Sequence, residues 1–449
     1  MALNEEPFDL TVKDAVSAIK EGNLSCAELL NSCLERIDSL DGEIKAWTLV
    51  DREGAQEEAR RLDKELSSGK QPGPLCGIPV GVKDIFYTAG LRTEAGSPLW
   101  SGFVPTYDAA AVLRLKEAGA IILGKTHTTE FAYFDPAPTR NPWNTTRTPG
   151  GSSSGSAAAV AARMCPLALG SQTVGSTLRP ASYTGIVGFK PEHGRISTYG
   201  VMPMSWTMDH VGIFTRNVED IALVLQVLAG YDSRDPRSIN QPVPDYLSST
   251  GDRQKPRLGL VRQYFFDYAE DEMRHHTEQV AKRFSEAGAD VQEVTLPSSF
   301  FSVSETRLSI LGVEDYAYHQ ETFDGNEDKY SDAVRGLLEE GSNVSAVEYA
   351  RALQARLQLR VDISLLMSQF DALITPGAPG PAPLAVITGN PVMQLPWTTI
   401  GVPAINLPTG LAKNGLPLGV QLVGAPMYEI GLLGVASWCE KVLDVHLRP

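Results

Sequence analysis

No run in this 449-residue chain reaches the ~18 apolar residues that a membrane span needs, so none is expected. The opening segment, Met1 to Leu10, carries Glu5 and Glu6 and lacks the apolar centre of a secretory leader. Basic runs are also missing. The formal net charge is −15 and the pI is near 5.0. Such a surface repels nucleic-acid phosphates and anionic membranes, so neither is an expected partner. Cysteine is scarce: Cys26, Cys33, Cys76, Cys165 and Cys439 are scattered, with no CxxC pair and no zinc-type spacing with histidine. A reduced, cytoplasmic protein without a metal centre fits this pattern. GxGxxG is absent, which argues against a dinucleotide-binding loop. There is no internal repeat and no low-complexity tract.

What remains is an ordinary globular mix, 43% hydrophobic and 21% charged. A chain of this length buries roughly three quarters of its unfolded surface, enough for a deep, dry site. Ser25 with Glu28, and Ser345 with Glu348, read as capping boxes that open helices. Cys26 and Cys33, seven apart, fall on one buried face of the first of these. Helices are expected from Thr11, over 52–67, 109–118, 156–163, 218–228 and 271–287, and from Ser345 to about Phe370. Short apolar strands are expected at 78–85, 120–123, 167–170, 185–189, 258–261, 290–294, 372–375 and 416–422. This alternation points to a layered α/β core. Residues 231–257 are polar and proline-bearing, a plausible connection between two halves.

Three segments hold residues unusual for their setting. Lys83 sits inside the apolar stretch Ile78 to Ile85. A buried lysine loses its proton readily and becomes a usable base. Equally, it could pair with Asp84 or extend to solvent. Gly150-Gly151-Ser152-Ser153-Ser154-Gly155-Ser156 joins glycines to a run of hydroxyls, suited to proton relay, to a linker or to a helix N-cap. Ser176 follows Gly175 past an apolar strand, where backbone N–H groups can converge on an oxyanion or simply make a turn. Together the three supply a base, a relay and a nucleophile. A serine hydroxyl needs such a base, and Ser–Lys arrangements provide one.

The sequence resembles the amidase signature hydrolases. The resemblance rests on Gly150 through Ala159, Leu167 through Pro180, Gly185 through Pro191, and Gly77 through Asp84. It extends to Gly124 through Tyr133, Met208 through Gly212, and Gly415 through Leu422, so it spans most of the chain with several long motifs in order. It implies an α/β/α sandwich around a large mixed β-sheet. It also implies a single domain over 1–449, with a catalytic core at 65–230 and a variable second half at 231–449. By the same resemblance Ser176 would be the nucleophile, Ser152, after a cis peptide bond, the bridge, and Lys83 the base. The oxyanion donors would be the amides of Thr173, Val174, Gly175 and Ser176. Ser153 would support Lys83 by hydrogen bonding, with Arg179 a further supporting residue.

The expected activity is hydrolysis of carboxamides through an acyl-enzyme, extending to esters and carbamates because one acyl-transfer chemistry serves all three. No cofactor or metal is required. The expected partner is a small-molecule amide, ester or carbamate, with the protein a monomer or homodimer. Tyr133, Phe134, Met204, Trp206 and Trp397 are candidate pocket residues, chosen for aromatic or flexible side chains near the motifs; each reads sooner as core than as substrate wall.

Four positions depart from the family pattern. Gln172 stands where aspartate is usual and Val174 where glycine is usual. Ser154 also replaces a glycine, and Arg179 is one position late. The lost aspartate weakens assignment to a glutamine-dependent, partner-requiring transamidation subunit, which stays an alternative. A second alternative is a Ser-His-Asp esterase using Ser153, since residues 151–155 formally match GxSxG.

Overall fold

The computed structural model describes residues 6–251 and 255–449. Residues 1–5, half of the segment read for a leader, and residues 252–254 of the polar connection lie outside them.

Eleven strands form one mixed sheet. They are β1 (Trp47–Val50), β2 (Pro79–Lys83), β3 (Ile121–Thr126), β4 (Leu167–Gln172), β5 (Val187–Lys190) and β6 (His210–Thr215). The second half adds β7 (Arg257–Leu260), β8 (Asp290–Glu293), β9 (Ala372–Pro376), β10 (Ala404–Leu411) and β11 (Pro417–Val423). Their order is β1-β3-β2-β4-β6-β5-β10-β11-β9-β7-β8. Strands β3, β2 and β4 run parallel to one another, as do β9, β7 and β8; the other pairs are antiparallel. Because β10 pairs with β5, the sheet crosses the 230/231 boundary without a break.

Helices cover both faces, giving the α/β/α sandwich. The alternation of side chains along a strand explains the two cores. On β9, Ala372 and Ile374 join the larger apolar cluster, while Leu373 points the other way into the second. On β10, Ile405 and Leu407 join the first, and Ala404 joins the second.

Local signals account for many boundaries. Thr11 caps the helix Val12–Lys20, and both capping boxes are present, opening Cys26–Ile44 and Ala346–Met367. A side-chain cap of this kind contributes about 1 kcal/mol. The helix Val218–Leu228 falls on its expected span. Other elements depart from the periodic pattern. The helix Val303–Phe323 buries Thr306, Glu314, Asp315 and His319 beside Ile310 and Leu311, so polarity does not mark its inner face. Strand β10 carries Asn406, Pro408 and Thr409, which hide it from an apolar-run search.

Candidate active site

The parallel strands β2 and β4 end side by side, and the candidate residues gather at their carboxyl ends, the usual place for chemistry in α/β sheets. Lys83 is the last residue of β2 and is completely buried. Its Nζ lies 2.6 Å from Ser152 Oγ and 2.7 Å from Ser171 Oγ. Asp84 does not pair with it; that carboxylate faces Lys125, 3.5 Å away. Burial therefore dominates, and the Lys83 amine is pushed well below its ordinary pKa, offset only in part by the charge of Asp209.

Ser152 is fully buried, and the Gly151–Ser152 peptide is cis. Three bonds fix this turn. Thr129 N donates to Ser152 O at 3.3 Å, Ser153 N donates to Ser176 O at 3.3 Å, and Arg179 Nη2 donates to Gly151 O at 2.6 Å. Arg179 also bonds Gly389 O, tying the turn to the 388–390 segment. Its burial lowers the guanidinium to about 10. Ser176 is the one member of the trio with measurable exposure, 8%.

The loop after β4 is held by side-chain bonds, both its own and those of neighbouring segments. Gln172 Oε1 accepts from Thr177 N (2.8 Å) and Leu178 N (2.9 Å), while its amide donates to Thr398 Oγ1 (2.8 Å). Thr398 in turn donates to Val174 O at 2.8 Å. Thr173 Oγ1 donates to Asp209 Oδ1 at 2.6 Å, and Asp209 Oδ2 accepts from the amides of Met204 and Ser205. The carbonyls of Gly175 and Ser176 accept from Arg179 N and Ser153 N. Among the described residues, the amides of Thr173, Val174, Gly175 and Ser176 find no protein acceptor. Four free N–H groups in one turn make a ready site for a developing oxyanion. Val174 is not among the positive-φ residues, so a side chain fits there without a left-handed backbone.

Several expectations need correction. Ser153 does not bond Lys83. Its Oγ donates to Ser171 O and accepts from Ser171 N, both at 3.2 Å, and Ser171 supplies the second contact to the amine. Ser171 escapes a reading of the sequence because the expected strand stops at residue 170 and nothing local ties the Ser171 hydroxyl to Lys83. Ser153 fits because Gly170, beside Lys83, has no side chain: a Cβ there would stand 2.7 Å from Ser153 Oγ and 2.5 Å from the Phe214 ring. Gly170→Ala is therefore expected to cost about 1–3 kcal/mol by overpacking and to lower activity; urea unfolding together with kcat checks both, and a neutral result in each would refute the packing account.

Trp397 is core: it is fully buried and stacks on Phe265 at 5.5 Å. Phe134 stands under the Arg179 guanidinium at 5.9 Å, and Tyr133 packs against Phe134. They follow Phe131 and Ala132, two consecutive non-glycine residues with positive φ, 44° and 64°. Such strained backbone gathers at functional sites. Met204 is buried and holds Asp209 through its amide, whereas Trp206 lines a cavity that Asp209 also reaches.

The esterase alternative fails on geometry. No histidine bonds Ser153 among the described residues. His210 Nδ1 is taken by the carbonyls of Met208 (2.6 Å) and Gln172 (3.2 Å), and burial holds its ring well below the usual histidine range. Nor does any group of three or more His, Cys, Asp or Glu side chains form a metal-holding arrangement among the described residues.

A large mixed sheet with a buried lysine and two serine-bearing turns at its strand ends defines a class as well as a site. The family model named Amidase matches residues 28–433, and the chain belongs to that family, the amidase signature enzymes acting on C–N bonds. Among its relatives is a glutamyl-tRNA(Gln) amidotransferase subunit of Geobacter sp. (strain M21), 35% identical over 99% of both proteins. Among solved structures it is similar to the peptide amidase of Stenotrophomonas maltophilia, with 30% identity, 98% of each chain covered and a TM-score of 0.86. It is likewise similar to a 6-aminohexanoate cyclic dimer hydrolase, with 26% identity, 99% of each chain covered and a TM-score of 0.89.

Proposed function

We propose that this protein is a self-sufficient hydrolase of carboxamides, with esters and carbamates as further substrates, acting through an acyl-enzyme on Ser176. The observation that carries this is the 2.6 Å contact between the buried Lys83 amine and Ser152 Oγ. An ammonium has three N–H donors, and only two hydroxyls stand at bonding distance from Nζ among the described residues. Burial is what disfavours the charge: in the neutral amine one N–H goes to Ser171, and the lone pair accepts the Ser152 proton.

Ser152 then takes the proton of Ser176 as that oxygen attacks the carbonyl. The amides of Thr173 to Ser176 receive the charge that develops on the carbonyl oxygen, each donor contributing about 3 kcal/mol. The proton returns along the same path to the leaving amine, and water cleaves the ester. The 231–449 half would complete the pocket, with Tyr133 and Phe134 on its wall.

A second reading has one specific support, the full-length similarity to amidotransferase subunits. There the chain would act only within a complex and upon glutamine. Two observations favour the first: the acidic net charge of −15, and Gln172 in place of the family's usual aspartate. Purified protein alone, given a p-nitroanilide, a p-nitrophenyl ester and an aryl carbamate, is expected to turn over at least the anilide and the ester. No turnover of any of the three without added proteins would favour the subunit reading.

A further inference from the structure

Beside the candidate site lies a cavity of about 280 Å³ with five aromatic residues among the eleven that line it. Tyr87, Tyr107, Tyr199, Tyr318 and Trp206 line it, and Asp209 reaches into it. Tyr87 meets Tyr107 nearly edge-on at 5.4 Å, and Tyr107 meets Tyr199 at 5.6 Å. Asp209 is 8% exposed and forms no ion pair with a lysine or arginine among the described residues. Both of its oxygens are held by donors from Thr173, Met204 and Ser205, so the carboxylate is fixed in position. Burial raises its pKa to about 6, which leaves it mostly ionised at neutral pH.

Aromatic rings beside a fixed carboxylate favour a cation over a neutral group of equal size. One wall ring already holds a cation: Arg234, itself outside the lining, lies 4.5 Å over the Tyr199 ring. Arg237 reaches the same cavity, but its guanidinium is paired with Asp235 at 3.0 Å. The volume suits one small head group rather than an extended chain.

We propose that this cavity is a substrate subsite for an organic cation, a primary or quaternary ammonium carried on the acyl part of the substrate. The proposal rests on the hydrolase reading above and names its substrate class. It adjoins the candidate site, because Asp209, one of its lining residues, accepts a bond from Thr173, three residues before Ser176.

The test uses the full chain. The p-nitroanilides of 4-(trimethylammonio)butyrate and of its uncharged isostere 5,5-dimethylhexanoate are compared by kcat/KM. The cationic anilide is expected to lead by roughly tenfold. In Tyr107→Leu, an exposed position that tolerates change, that ratio is expected to fall towards one; Trp206→Leu serves if the first variant folds poorly. Separately, choline and 3,3-dimethylbutan-1-ol are titrated into Ser176→Ala by calorimetry, with choline expected to bind more tightly by the same factor. Equal kcat/KM for the two anilides, or equal or absent binding of the two probes, would overturn the subsite. If Ser176→Ala still hydrolyses the anilides, the catalytic reading fails instead, and the choline titration judges the subsite alone.

Discussion

Ser176→Ala is expected to lower kcat for an aryl amide by at least about 10⁴-fold while leaving the fold intact. The stability half follows from its surroundings. Ser176 is buried, but its hydroxyl bonds no protein group among the described residues, so its loss breaks no internal hydrogen bond and costs about 1 kcal/mol or less. The activity half follows from chemistry: without that oxygen the carbonyl has no protein nucleophile, and only water and the free amides of 173–176 remain. Ser152→Ala is expected to lose nearly as much, because members of one proton path act as a unit and their losses do not add. Loss of activity with a parallel collapse of the urea midpoint would assign Ser176 to the structure instead of the reaction.

Lys83→Met is the second large effect, and it separates two roles in one residue. Activity should fall about as far as in Ser176→Ala, since a weak hydroxyl nucleophile needs a base. Stability should move with pH in a definite sense. The unfolded chain carries Lys83 protonated below about 10.4. Burial holds the folded pKa well below that, so folding releases a proton. Between the two pKa values the wild type therefore gains about 1.4 kcal/mol of stability per pH unit as pH rises, and loses it as pH falls. Lys83→Met lacks this slope. Urea unfolding of the pair should show the variant improving relative to wild type as pH is lowered from 9. Parallel curves would mean that the folded amine keeps its proton.

How much of this was legible in the sequence depends on whether a residue's task was local. Ser25 and Ser345 announce helix starts because a capping box closes within three residues. Lys83 stands out because a lysine in an apolar strand is anomalous by itself. Ser171 does not stand out: it matters through an amine 88 positions earlier in the chain, and nothing local marks that contact. Ser153 was expected at Lys83 for the same reason, since only the fold shows that Gly170 opens its place elsewhere. Trp397 is a pocket candidate whose stronger reading is core, and its full burial agrees with the core reading; aromatic character alone does not tell the two apart. Gln172 read as a weakened aspartate, yet it caps the amides of residues 177 and 178 with one oxygen and reaches Thr398 with its nitrogen, a bond that an aspartate could not donate.

The central claim is that an uncharged Lys83 drives Ser176 through Ser152. Its most direct test is the pH dependence of Ser176 acylation by an activated carbamate, followed by peptide mass spectrometry. An adduct on Ser176 is expected, its rate rising with pH to a plateau as the Lys83 amine loses its proton, with a slow, pH-independent rate in Lys83→Met. An adduct on Ser153, or the same rising profile in Lys83→Met, would contradict it.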